Sequence, residues 1–218
     1  INILNILEKE PRGLRKAIFV INLMYQKELN WDIRLCTKVM NICLRANESE
    51  MAFKTFNKMI PHLSKDHDKR TISLINHLLI ALSHKNNEAL VAKVREQMTQ
   101  LNIVLEPYSI FTLSLYLIQR NINQFINLLY ETNIDQRYQI FTADKLDELV
   151  TALLCSASEF KVDQIFPLIQ LLHTDFQYEL SITKLNEAVI HHCELGQFDK
   201  IPIVIQLMKK LNISPDRH

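Results

Sequence analysis

The chain has 218 residues, 48% of them hydrophobic and 22% charged, with a formal net charge of +1, enough material to bury one or two cores. Two glycines and six prolines are too few turn formers for an all-β fold of many hairpins. No apolar run approaches the roughly eighteen residues of a membrane span.

Taken in order, residues 1–32 read as a leading partial hairpin. Ile1 to Leu7 supplies its first half, Glu10-Pro11-Arg12-Gly13 the connection, and a helix from Gly13 through Tyr25 the second half, with Ile18, Ile21, Leu23 and Met24 available for burial. Residues 33–71 follow as a full unit. Its first helix carries Ile33, Cys36, Val39, Met40 and Cys43, Asn47-Glu48-Ser49 marks the turn, and Met51, Ala52, Thr55, Phe56 and Met59 line the second helix. The run Lys65-Asp66-His67-Asp68-Lys69-Arg70 reads as a solvated charged insertion before the next unit.

Residues 72–106 and 182–216 are each 35 long and align without a gap at an offset of 110, with Ile72 on Ile182, Asn76 on Asn186 and Met98 on Met208. In the later unit Ile182, Leu185, Ala188, Val189 and His192 make one stripe, Gly196 breaks the helix, and Ile201, Val204, Ile205, Met208 and Leu211 make a second stripe. Ser214-Pro215-Asp216 closes it as a turn, and Asn86 stands where Gly196 stands. Between these two, residues 107–142 open with Pro107 and carry Ile110, Leu113, Leu115 and Leu117, then a turn at Arg120 to Asn123 and a short second helix with Phe125, Leu128 and Leu129. Residues 143–181 repeat the opening rhythm, Lys145-Leu146-Asp147-Glu148 mirroring Lys184-Leu185-Asn186-Glu187 at an offset of 39. The second helix of that unit matches at an offset of 36, which places extra residues in the turn near 156–161, and Pro167 is expected to bend it or mark a late start.

A hairpin with two apolar faces cannot bury both alone, so a fixed period of this length predicts an all-α protein. The expected architecture is an α-solenoid of stacked helix-turn-helix repeats forming one domain over 1–218. Charge is unevenly placed along it: residues 1–110 carry 16 Lys and Arg against 11 Asp and Glu, and residues 111–218 carry 9 against 13. A polyanion is therefore expected on the first half. Cys36, Cys43, Cys155 and Cys193 form no CxxC pair or disulfide-like framework, which fits a reducing compartment. His191-His192-Cys193 are adjacent on a helix, point about 100° apart and cannot converge on one ion. There is no Gly-rich phosphate loop, no HExxH and no nucleophile setting, so neither catalysis, a metal nor a cofactor is expected.

Asn186, Cys193, Gly196, Met208 and Pro215-Asp216 together resemble the pentatricopeptide repeat family. Asn76 and Met98 carry the likeness in the 72–106 unit; Glu50, Ala52 and Met59 carry it in the 33–71 unit. Few glycines with many Asn, Ile and Lys is similar to the fungal mitochondrial members. The resemblance implies sequence-selective binding of single-stranded RNA, one base per repeat, in a mitochondrion, on an organellar mRNA or rRNA, with a role in transcript stability, processing or translation. It also implies the readers: the fifth residue of each unit (Thr37, Asn76, Asp147, Asn186) paired with the last (Glu106, Asp216), Asn186 with Asp216 being the family's uracil pair. Arg34, at the second position where the family carries an aliphatic residue, is expected to lie flat on a base, and Arg45 to meet phosphate; the last unit has Thr183 and Glu194 at those places. The alternative from another class is a protein-binding scaffold without RNA contact, serving an RNA-processing or ribosomal assembly.

Overall fold

In a computed structural model, which describes residues 1–10, 13–27, 29–63, 68–155 and 162–213, the protein is all-α, with no strand among the described residues. Cα packing gathers the chain into two compact units, Ile1–Ser109 and Ile110–His218, where the sequence alone suggests one domain.

The first unit contains α1 (Asn2–Lys9), α2 (Gly13–Gln26), α3 (Ile33–Arg45), α4 (Ser49–Met59), a 3₁₀ turn (Ile60–His62), α5 (Lys69–His84) and α6 (Glu88–Gln100). Helices α1 and α2, α3 and α4, and α5 and α6 pair as hairpins. Each hairpin meets the next through α2 on α3 and through α5 on both α3 and α4. Gly13 is forced by the α1–α2 approach, since a Cβ there would stand 1.5 Å from the Leu7 carbonyl oxygen. Helix α3 starts at Asp32, whose carboxylate accepts from the Leu35 N–H at 2.7 Å. Its expected stripe is buried at Cys36, Val39, Met40 and Cys43, and α4 buries Ala52, Thr55, Phe56 and Met59 against it. Tyr25 and Trp31 stack at 4.7 Å, the Tyr25 hydroxyl meets the Thr55 hydroxyl at 2.6 Å, and the Lys58 ammonium lies over both rings.

One expectation fails here. Lys69 and Arg70 are the first turn of α5 rather than loop. Asp68 is their N-cap, accepting from the Thr71 N–H at 2.6 Å, and those hydrogen bonds hold its carboxyl below the ordinary range. Lys65, Asp66 and His67 lie outside the described residues.

The second unit contains the rest of α7 (Pro107–Ile118), within which the division falls, then α8 (Ile122–Glu131), α9 (Ile134–Ile140), α10 (Ala143–Cys155), α11 (Val162–Phe176), α12 (Ile182–Glu194) and α13 (Ile201–Lys210). Here α10 packs on α12, α11 on α13 and on α8, and α12 pairs with α13. Helix α9 is an addition to the expected pattern. Arg137 secures it by donating to the Thr132 and Tyr130 carbonyls at 2.8 and 3.0 Å, filling acceptors that α8 leaves open at its end. Helix α11 runs from Val162 through Pro167, so that proline is not its start. In α13 the buried residues are Val204, Leu207 and Met208, whereas Ile205 is exposed: the stripe is turned by one residue from the expected phase.

The repeat is written in the backbone as well. Asn47, Asn86 and Gly196 all take positive φ (61°, 55° and 68°) at the hairpin turns. Each is followed by a residue whose N–H reaches back to Cys43, Leu82 or His192, the Schellman closure that a left-handed C′ residue permits. Asn102 and Asn212 repeat the device at the end of the second helices, with φ of 54° and 55°, and Gln177 takes the same φ of 54° with the Tyr178 N–H reaching one residue further back, to Leu172.

Candidate nucleic-acid interface

A helix that buries one stripe leaves the opposite stripe to water, and on α3 the polar stripe runs Arg34, Lys38, Asn41, Arg45 at steps of four, three and four. Because α3 and α5 lie side by side, the Arg34, Lys38 and Asn41 part of that stripe faces α5. Between them runs an open groove of about 750 Å³, lined by Arg34, Thr37, Lys38 and Asn41 from α3 and by Arg70, Ser73 and His77 from the α5 side. Ile33 and Leu74 form apolar parts of the wall. Among the described residues the α5 N-cap, Asp68, is the one carboxylate lining it. The groove therefore offers cationic donors around a partly apolar floor, the combination that suits phosphates with splayed bases. Lys38, Asn41, Arg70 and His77 are additions to the expected contacts. The four-three-four spacing from Arg34 is the signal that finds the first two; Arg70 sits in a run whose charge pattern reads as loop.

The expected contacts are distributed as follows. Arg34 is exposed and Thr37 half-buried, both in the groove, with the Thr37 hydroxyl donating to the Ile33 carbonyl at 2.7 Å. Arg45 lies apart from them, in a hollow lined also by Leu14, Arg15, Ile18 and Glu48.

Asn76 is placed differently from expectation. It is fully buried, 0% exposed. Its amide NH₂ donates to the Ile72 and Val104 carbonyls at 3.0 and 3.2 Å, and its oxygen accepts from the Glu106 N–H at 2.9 Å. The paired residues Asn76 and Glu106 do come together, but as a staple that holds the end of the repeat against its own first helix. The amide is spent on backbone, and no polar edge of it faces a ligand. The Glu106 carboxylate receives a long hydrogen bond from Ser73 at 3.4 Å.

Asp147 makes the analogous closure in its unit, accepting from the Tyr178 hydroxyl at 2.8 Å. Burial, with that carboxylate as a further cause, pushes the Tyr178 phenol well up. Asn186 is half-buried and its side chain makes no hydrogen bond among the described residues. Asp216 lies outside the described residues.

In the second unit the stripe equivalent to the groove face changes sign. Where α3 has Arg34, Lys38 and Arg45, α10 has Asp144 and Glu148, and α12 has Glu187 and Glu194, all four exposed. The Lys and Arg excess is confined to the first unit.

His192 is fully buried, with Nε2 3.0 Å from the Leu154 carbonyl and Nδ1 3.2 Å from Gln197 Oε1. It ties α12 to the end of α10 as a core residue. Among the described residues no group of three His, Cys, Asp or Glu is arranged to hold a metal, and no helix is long and apolar enough to cross a membrane. No protein-family model matches the chain, and no curated protein matches it significantly.

Proposed function

We propose that the protein binds single-stranded RNA through the α3–α5 groove of its first unit, and that its hairpins stack as an α-solenoid of the pentatricopeptide type. The observation that carries this reading is the groove itself: Arg34, Lys38, Arg70 and His77 converge on one open, partly apolar channel between the first helices of two successive repeats. Phosphate contacts supply affinity there, while Arg34 and Thr37 meet bases. Base reading through Asn76 is not part of the proposal, because its amide has no unsatisfied group. Asn186 keeps an amide that is not spent within the described residues. The organellar setting, and a role in transcript stability, processing or translation, rest on the family resemblance.

The test is binding of a single-stranded RNA oligonucleotide, followed by fluorescence anisotropy across salt concentrations. Three phosphates neutralised in the groove give a log–log salt slope of about −2 for a single strand. Replacing Arg34, Lys38 and Arg70 together by Ala is expected to flatten that slope nearly to zero. Equal affinity and slope in the triple variant would remove the groove as the site.

A further inference from the structure

We infer that the exposed face shared by α10 and α12 is a docking surface for a basic, amphipathic polypeptide segment, one that carries Lys or Arg around a few apolar side chains. Asp144 and Glu148 stand one turn apart on α10, and Glu187 and Glu194 flank Ile190 on the neighbouring α12 at steps of three and four, so each set lies on one helical stripe. Ile190 is 56% exposed between Glu187 and Glu194 on the α12 stripe. At the C-terminal end of α12, Leu195 and Phe198 are also largely exposed.

The repeat register shows that Leu195 and Phe198 are not a general requirement of the fold, whereas Ile190 falls on Ile80, which is apolar and only half-buried. At the offset of 110, Leu195 and Phe198 correspond to Lys85 and Glu88, both exposed and polar in the earlier hairpin. At these two positions the last hairpin carries oil where its internal copy carries charge. Exposed apolar side chains rimmed by polar ones are the composition of a binding surface rather than of a solvated one.

The charge selects the occupant. Glu187 pairs with Lys184 at 3.2 Å, while Asp144, Glu148 and Glu194 make no ion pair among the described residues. Four carboxylates repel a phosphate backbone and attract ammonium or guanidinium groups. A purely cationic ligand leaves Ile190 and Phe198 in water, and a purely apolar one strands the carboxylates. A segment with both features satisfies the face, and the two adjacent stripes suit a helix or an extended strand laid along them. This surface is independent of the RNA groove, which lies in the other unit.

The probe is a fluorescein-labelled synthetic peptide of about 15 residues with Lys and Leu at helical spacing. It is compared with a Lys and Ser peptide of equal charge by anisotropy on the full chain at about 0.1 M salt. Saturable binding of the Lys/Leu peptide is expected, about tenfold tighter than the Lys/Ser peptide. Glu148→Lys with Glu194→Lys should weaken it about tenfold, and Ile190→Ser about fivefold, whereas Arg34→Ala with Lys38→Ala should leave it unchanged. Should the charge reversals disturb folding by circular dichroism, Glu148→Gln with Glu194→Gln replaces them, with about a threefold loss expected. Absence of saturable binding, or equal affinity in the α10–α12 variants and the parent, overturns the assignment. So does loss of binding in the α3 variant alone, and RNA competing for the peptide through Glu148 and Glu194 would do the same.

Discussion

Replacing Asn76 separates a structural amide from a base-reading one. The side chain is 0% exposed and holds three backbone partners: the Ile72 carbonyl, the Val104 carbonyl and the Glu106 N–H. Ile72 sits one turn back in the same helix and loses little. Val104 and Glu106 belong to the segment that closes the repeat, and truncation leaves a donor and an acceptor there without their partner. At about 1–2 kcal/mol each, Asn76→Ala should cost about 2–4 kcal/mol, read as a lower urea midpoint with an unchanged slope. Asn76→Asp is the sharper variant. One carboxylate oxygen still accepts from Glu106, but the other faces two carbonyl oxygens to which an amide NH₂ donated. It should be less stable than Ala near neutrality and recover as pH falls and the acid gains a proton to donate, the native state of this variant binding more protons than its unfolded chain. RNA affinity, measured where the variants remain folded, should follow the folded fraction alone. If Asn76→Ala unfolds within about 0.5 kcal/mol of the parent yet loses RNA selectivity, the staple is wrong and the amide reads a base.

Further outcomes follow from the same geometry. Gly196 has φ of +68°, and a Cβ added there would meet nothing within 4 Å, so Gly196→Ala should cost about 1–2 kcal/mol for conformation alone; Gln177→Gly, at φ of 54°, should gain about 1 kcal/mol, and urea titration of both checks the sign. His192→Ala removes a buried ring and its contact with the Leu154 carbonyl and should cost about 3 kcal/mol without altering RNA binding to the first unit. Burial pushes the Cys36 and Cys43 thiols up from 9.0 to about 11 and about 12, and the Tyr25 phenol from 10.0 to about 12. The folded state then keeps protons that the unfolded chain releases, so this stability is complete below pH 9 and is lost as pH rises through 11 to 12; thermal melts at rising alkaline pH should shift down, and a flat profile would contradict it. Thiol titration of the native protein should label exposed Cys193 quickly and buried Cys36 and Cys43 slowly.

The amino-acid sequence by itself determined what is local. Apolar spacing set the helices, Asp32, Asn87, Asn121 and Ser181 supplied N-caps, and the matching of Asn86 to Gly196 located a left-handed turn residue that the backbone shows in both places. Helix α9 was not legible, because seven largely polar residues carry no stripe and Arg137 holds them through carbonyls outside the helix. The tertiary structure alone decided which first-helix polar groups remain for a partner. Asn76 is one residue from buried Ile75, about 100° around the helix, at the border between core and surface. It is the segment near Glu106, thirty residues on, that folds back and covers it. Periodicity within a helix does not encode that return. Arg34 and Lys38 lie farther around their own helix, where α3 and α5 leave a groove between their stripes.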